Sequence, residues 1–114
     1  MKADNAPKMS VEDFFYELLH LRDSKFDLDY TNSFKKNIKA CYKSNLNLKL
    51  LCEVIKILAK EGSLPAKYKP HPLVNRKVME CHIAPDWLLI WQQDNAKLTL
   101  LLINTGTHTK LLGM

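Results

Sequence analysis

Three apolar-rich stretches near the C-terminus, Lys77 to Ile83, Trp87 to Gln92 and Leu98 to Ile103, are separated only by Ala84-Pro85-Asp86 and Asp94-Asn95-Ala96. Both separators are turn compositions, and neither is long enough to carry a crossover between parallel strands. Successive stretches must therefore reverse and lie side by side, which predicts a three-strand antiparallel meander. Thr105-Gly106-Thr107 reads as a further reversal that leaves Thr109 to Leu112 for a short last strand.

The segments upstream have to cover that sheet. Phe26-Asp27-Leu28-Asp29-Tyr30 alternates apolar and polar with period two, as a strand does. Thr31 or Asn32 can cap a helix in which Phe34, Ile38 and Cys41 or Tyr42 form one stripe, while Lys35, Lys36, Lys39 and Lys43 crowd the other side. A second helix is expected from about Leu46 to Lys60, with Leu50, Leu51, Val54, Ile55 and Leu58 toward the core and Gly62 as its stop. Residues Ser63 to Pro72 hold three prolines and no periodicity, predicting an extended connector that keeps His71 out of any ladder.

Nearer the N-terminus, Ser10 with Asp13 three residues later opens a third helical signal carrying Val11, Phe14, Phe15, Leu18 and Leu19. The polar run Arg22-Asp23-Ser24-Lys25 closes it. The expected organisation is an N-terminal extension over 1–25 with one amphipathic helix, followed by one α+β domain over 26–114. In that domain, two helices pack on a small antiparallel sheet.

At 114 residues the chain has length for one modest core and not two. Residues 1–25 carry four basic and five acidic groups, and residues 26–114 thirteen and seven, so the parts hold −1 and +6 of the net +5. A cationic field of that size over one small domain favours a polyanionic partner, nucleic acid first. Three cysteines in no paired spacing, without a basic-then-apolar leader, argue for a reducing compartment, the cytoplasm by default. The apolar runs are too short to span a bilayer.

The chemistry-bearing residues cluster in the second half: His71, His82, Asp86 and His108. In a meander, residues equidistant from a turn face one another. The turn at Ala84-Pro85 is then expected to pair His82 roughly with Trp87, and the turn at Asn95 to pair Trp87 roughly with Ile103. A reversal at Gly106 would bring His108 back to the same end, with His71 laid across it by the connector. Each residue alone has an ordinary structural explanation, a satisfied strand or loop histidine or a turn-capping aspartate. Together, on a basic domain, they read as a proton-transfer site. His20, flanked by Leu19 and Leu21 on the first helix, is read as structural.

The residues also carry a resemblance. Asp27-Leu28-Asp29-Tyr30-Thr31-Asn32-Ser33-Phe34-Lys35-Lys36, Leu64-Pro65, His71-Pro72-Leu73, Glu80-Cys81-His82-Ile83-Ala84-Pro85-Asp86-Trp87 and Thr105-Gly106-Thr107-His108, in that order, resemble the YafQ branch of RelE-like toxins over about residues 26–113. The resemblance implies a small antiparallel sheet with helices on one face. It also implies endonucleolytic cleavage of messenger RNA in the ribosomal A site without metal or other cofactor, and inhibition by a cognate antitoxin. Under it, His71, His82, Asp86 and His108 take catalytic positions and Trp87 stands beside them.

Attack by the RNA's own 2′-hydroxyl needs a base, an acid for the departing 5′-oxygen, and positive charge near the phosphorus. We expect His108 as acid, Asp86 or His71 as base and His82 at the phosphate, roles that could be exchanged. Lys67, Lys69, Arg76 and Lys77 would hold phosphates, and Trp87 would either stack a base or fill the core. The chain departs from the family pattern where Met79 stands in place of an arginine, Leu112 in place of an aromatic, and the stretch before Glu80 is short. Loss of the guanidinium at position 79 is expected to remove a bidentate phosphate donor.

A catalytically weakened RNA-, ribosome- or antitoxin-binding module is the alternative reading. A metal site from His71, Cys81, His82 and His108 is disfavoured, because adjacent strand residues point to opposite faces. Residues 1–25 have no place in the toxin pattern. They are expected to dock on the basic domain, to mediate self-association through residues 10–22, or to be a poorly ordered extension or a misassigned start, given Met9.

Overall fold

A computed structural model describes residues 8–73 and 77–107. In chain order these form α1 (Val11–Leu19), β1 (Asp27–Tyr30), α2 (Asn32–Lys43), α3 (Leu48–Glu61), a 3-10 turn (Ala66–Tyr68), β2 (His71–Pro72), β3 (Val78–Ala84), β4 (Trp87–Asp94) and β5 (Thr99–Thr107). The strands make one sheet in the order β1-β5-β4-β3-β2.

The β3-β4-β5 meander is present, and its register differs from expectation for two local reasons. Asp94 pairs with Thr99 across a four-residue turn, Asn95 to Leu98, and the ladder shifts between Ile90, opposite Asn104, and Trp91, opposite Leu102. Trp87 consequently faces Thr107, not Ile103. Nor does the chain reverse at Gly106. That glycine, at a φ of 155° that a residue with a Cβ rarely adopts, stays in the ladder opposite Leu88, and β5 runs on to Thr107. The short strand expected over Thr109 to Leu112 lies outside the described residues.

β1 was expected in an all-antiparallel sheet, yet it pairs parallel to β5, with Asp27 opposite Thr99 and Tyr30 opposite Leu102. The two helices and the β2–β4 segment between them are long enough to return the chain in the same direction, so the sheet is mixed. The connector before β2 also differs from expectation. His71 and Pro72 pair with Glu80 and Met79, and the Leu73 N–H donates to the Val78 carbonyl at 2.7 Å. An edge strand tolerates the prolines because half of its backbone groups need no partner in the sheet.

The helix signals hold, with one shift. Ser10, Thr31 and Asn47 cap α1, α2 and α3 by accepting from Asp13, Phe34 and Lys49 N–H groups. Gly62 ends α3 at a φ of 73°, and a Cβ there would meet the Phe26 ring at 2.7 Å. Its carbonyl accepts from Gln93 on β4 at 2.9 Å, which ties the helix end to the sheet. α3 buries Leu48, Leu51, Cys52, Val54, Ile55, Leu58 and Ala59, whereas Leu50 is 44% exposed because it sits one step outside that stripe.

Described residues before β1 are packed, not trailing. Phe14 and Leu18 of α1 join the same core cluster as Phe34, Ile38, Leu51, Ile55 and the sheet residues Leu89, Trp91, Leu100 and Leu102. The Phe14 ring lies 6.3 Å from Phe34, Phe15 lies 4.9 Å from Tyr30, and Lys56 Nζ reaches Glu17 Oε1 at 2.7 Å. Among the described residues no helix is long and apolar enough to cross a membrane.

Phe14 is fully buried whereas Tyr16 is 60% exposed on the same helix. Phe14→Ala is expected to cost about 3–5 kcal/mol and Tyr16→Ala within about 0.5 kcal/mol, read from urea denaturation midpoints. Equal losses would mean that α1 does not share the core.

Candidate active site

The site grows from the alternation of β3. Cys81 and Ile83 are buried, so Glu80 and His82, between and beside them, lie on the opposite face. β2 sets His71 directly across from Glu80, and the two side chains meet at 3.0 Å, Nε2 to Oε1. The other ring nitrogen of His71, Nδ1, donates to the Lys69 carbonyl at 2.8 Å. The ring centroids of His71 and His82 are 6.5 Å apart. Glu80 is the residue that the sequence reasoning left unassigned. Its signal was present, since a residue two before His82 on a strand shares its face.

His82 opens onto a groove of about 500 Å3 lined by Leu50, Lys67, Tyr68, Lys69, His82, Ile83, Ala84 and Pro85. Lys67, Lys69 and Lys77 are all exposed, and Lys67 Nζ lies 5.1 Å from the Tyr68 ring centre. Asp86 is exposed in the turn between β3 and β4, where the ladder shifts so that His82 faces Leu88 and Ala84 faces Trp87. Thr107 pairs with Trp87, so β5 ends beside the same turn. His108 and Arg76 lie outside the described residues.

Trp87 and Met79 both turn toward the core. Trp87 is 2% exposed within the core cluster, and its indole N–H donates to Thr105 Oγ1 at 3.0 Å. Its ring therefore fills the core and offers no face to a base. Met79 shares the parity of Cys81 and Ile83 and packs against the core. An apolar side chain suits that position.

Cys41, Cys52 and Cys81 are buried and none forms a disulfide. Burial, and secondarily the charge of Glu80, push the Cys81 thiol up to about 12. Among the described residues there is no group of three or more His, Cys, Asp or Glu placed to hold a metal ion.

Comparison with known proteins fits this geometry. Residues 26–113 match the family model described as bacterial toxin of type II toxin-antitoxin system, YafQ. The chain belongs to the YafQ toxin family. The mRNA interferase toxin YafQ of Escherichia coli strain B is 34% identical over 90 residues, which are 76% of this chain and 96% of that protein. YafQ in the crystallised Escherichia coli DinJ-YafQ toxin-antitoxin complex superimposes with a TM-score of 0.72 at 30% identity, covering 78% of this chain and 99% of that one. A metal-bound toxin from Helicobacter pylori gives 0.69 at 38% identity, covering 75% and 98%. The YafQ match begins at Phe26, so α1 lies outside it.

The buried thiol on the back of the YafQ site strand makes a pH prediction. The folded state resists ionising Cys81 between its ordinary value of 9.0 and about 12. Its contribution to stability is intact below pH 9 and falls by about 1.4 kcal/mol per pH unit above it. Cys81→Ala should flatten the decline of the urea midpoint between about pH 9 and 11, and native wild-type Cys81 should resist iodoacetamide at pH 8. An unchanged slope would show that the thiol is not held neutral.

Proposed function

We propose that this chain is the toxin of a type II toxin-antitoxin module and an endoribonuclease that cuts messenger RNA, held in the ribosomal A site, by metal-independent acid-base chemistry. The observation that carries this reading is the His71-Glu80-His82 group on the outer face of the sheet, where His82 borders a groove flanked by Lys67 and Lys69. Imidazoles can exchange protons near neutral pH, and ammonium groups beside them supply the charge that a phosphodiester needs. Family membership and the likeness to curated YafQ interferases support the same reading.

In this account residues 26–114 are the toxin domain and 1–25 an extension. His71, His82, Asp86 and His108 serve proton transfer and phosphate stabilisation, and Lys67, Lys69, Lys77 and Arg76 hold the RNA backbone. A cognate antitoxin is the protein partner, in keeping with the DinJ-YafQ complex among similar structures. The reducing cytoplasm suits three buried cysteines without disulfides.

His82→Gln, Asp86→Asn and His108→Ala, each made alone, should lower cleavage by about 10²–10⁴-fold and relieve growth arrest on induction. Message ends mapped after brief induction report the cleavage. Lys67→Ala with Lys69→Ala should weaken RNA binding and its salt dependence instead. EDTA should leave the rate unchanged. Growth arrest that survives the histidine and aspartate changes would favour a binding module.

A further inference from the structure

The groove bordered by His82 has a tyrosine ring in its wall. We propose that it is a nucleobase subsite, in which Tyr68 stacks one base flanking the cleaved phosphate while Lys67 and Lys69 hold that nucleotide's phosphates; this rests on the endoribonuclease reading above and gives it a substrate contact.

The chemistry of the cut calls for such a contact. A 2′-oxygen displaces the 5′-oxygen only from the opposite side of phosphorus. In a stacked strand it lies beside that bond, so the two nucleotides flanking the cut have to swing apart and lose their mutual stacking. A new ring for the freed base offsets that loss, and aromatic side chains are the usual source in single-strand recognition. Trp87 is not the source, being 2% exposed with its indole N–H bound to Thr105.

Tyr68 meets the requirement. Its N–H donates to the Pro65 carbonyl at 3.1 Å, and the next N–H, of Lys69, donates to the Ala66 carbonyl at 2.9 Å. Lys69, at a φ of 51°, then turns the chain toward β2. Those bonds fix the tyrosine's backbone, and its half-buried side chain packs against the core cluster, so little freedom is left to lose when a base arrives. The platform is pre-formed.

The surroundings suit one nucleotide. Leu50, 44% exposed on α3, and Pro85 give the groove apolar wall, and about 500 Å3 is a volume typical of small-ligand sites. Lys67 Nζ, 5.1 Å from the Tyr68 ring centre, and the exposed Lys69 set ammonium groups beside the ring, where the phosphates of a stacked nucleotide run. His82 lines the same groove, so a base seated there carries its phosphate to the proton-transfer group. Stacking engages a base's face and not its edges, so the subsite strengthens binding to every message and leaves the choice of cut position unchanged.

The test joins a change in the protein to a change in the message. Tyr68→Leu removes the ring and keeps apolar bulk against the core, and Tyr68→Phe keeps the ring. Affinity is measured on ribosomes programmed with a message made uncleavable by a 2′-deoxy sugar at the cut, with the base before or after the cut present or removed. At one of those positions, loss of the ring or of the base should each weaken binding by about 5–100-fold, and loss of both by no more than either alone. On ordinary message Tyr68→Leu should raise the half-saturating concentration by the same factor, with the rate at saturation within about threefold and the mapped ends unchanged. Tyr68→Phe should match wild type. A 5-iodouracil at the coupled position should crosslink to Tyr68 of the unaltered protein, a reading that does not depend on any variant folding.

Additive losses, an unweakened Tyr68→Leu, or crosslinks that avoid Tyr68 overturn the subsite and leave the nuclease reading standing. Tyr68→Phe as weak as Tyr68→Leu assigns the effect to the hydroxyl and overturns stacking. A wild type that shows the coupling but cuts no message, free or on ribosomes, overturns the nuclease reading and leaves the subsite.

Discussion

The buried hydroxyl of Thr105 holds the site end of the sheet in register. It accepts from the Trp87 indole N–H at 3.0 Å and donates to the Leu88 carbonyl at 2.7 Å, and Thr105 is fully buried. A hydroxyl that satisfies two groups away from water is costly to displace, because each partner would be left unpaired. Register on β4 then dictates facing on β3, since a slip of one residue would exchange Cys81 and Ile83 for Glu80 and His82. The chemistry on the outer face therefore depends on a core contact on the inner one.

Much of the fold was legible in the sequence because helices and hairpins announce themselves locally. Ser10, Thr31 and Gly62 mark helix ends through side-chain size and backbone freedom, and all three act where the sequence placed them. What escaped is non-local. No short-range signal says that β1 lies parallel to β5, that the ladder shifts at Ile90, or that Gly106 continues a strand. A glycine reads as a turn when only its neighbours are seen; here it faces Leu88 across the ladder.

The candidate site shows the same division. His82 and Asp86 were found through a turn, and the turn is there; His71 was expected to be outside any ladder, but pairs with Glu80 on β3. Glu80 was visible as a letter yet not as a partner, because its contact with His71 follows from β2 joining β3 at the sheet edge, a fact of topology. Trp87 had two readings of similar weight, and only burial against Leu89, Trp91 and Thr105 separates them.

α1 supplies aromatic and aliphatic surface to a core that the family-matched residues also build, although that match begins only at Phe26. Small domains bury a smaller share of their surface, so one added amphipathic helix shifts the balance more here than in a large protein. Phe14 and Leu18 are buried in the same cluster as Phe34 on α2, whose opposite side carries Lys35, Lys36, Lys39 and Lys43. α2 also contacts β5 near the site, where the Asn37 amide donates to Asn104. Apolar contact from α1 on the buried face of α2 helps a helix crowded with ammonium groups, which repel one another, to stay seated against the strand that runs to the Asp86 turn.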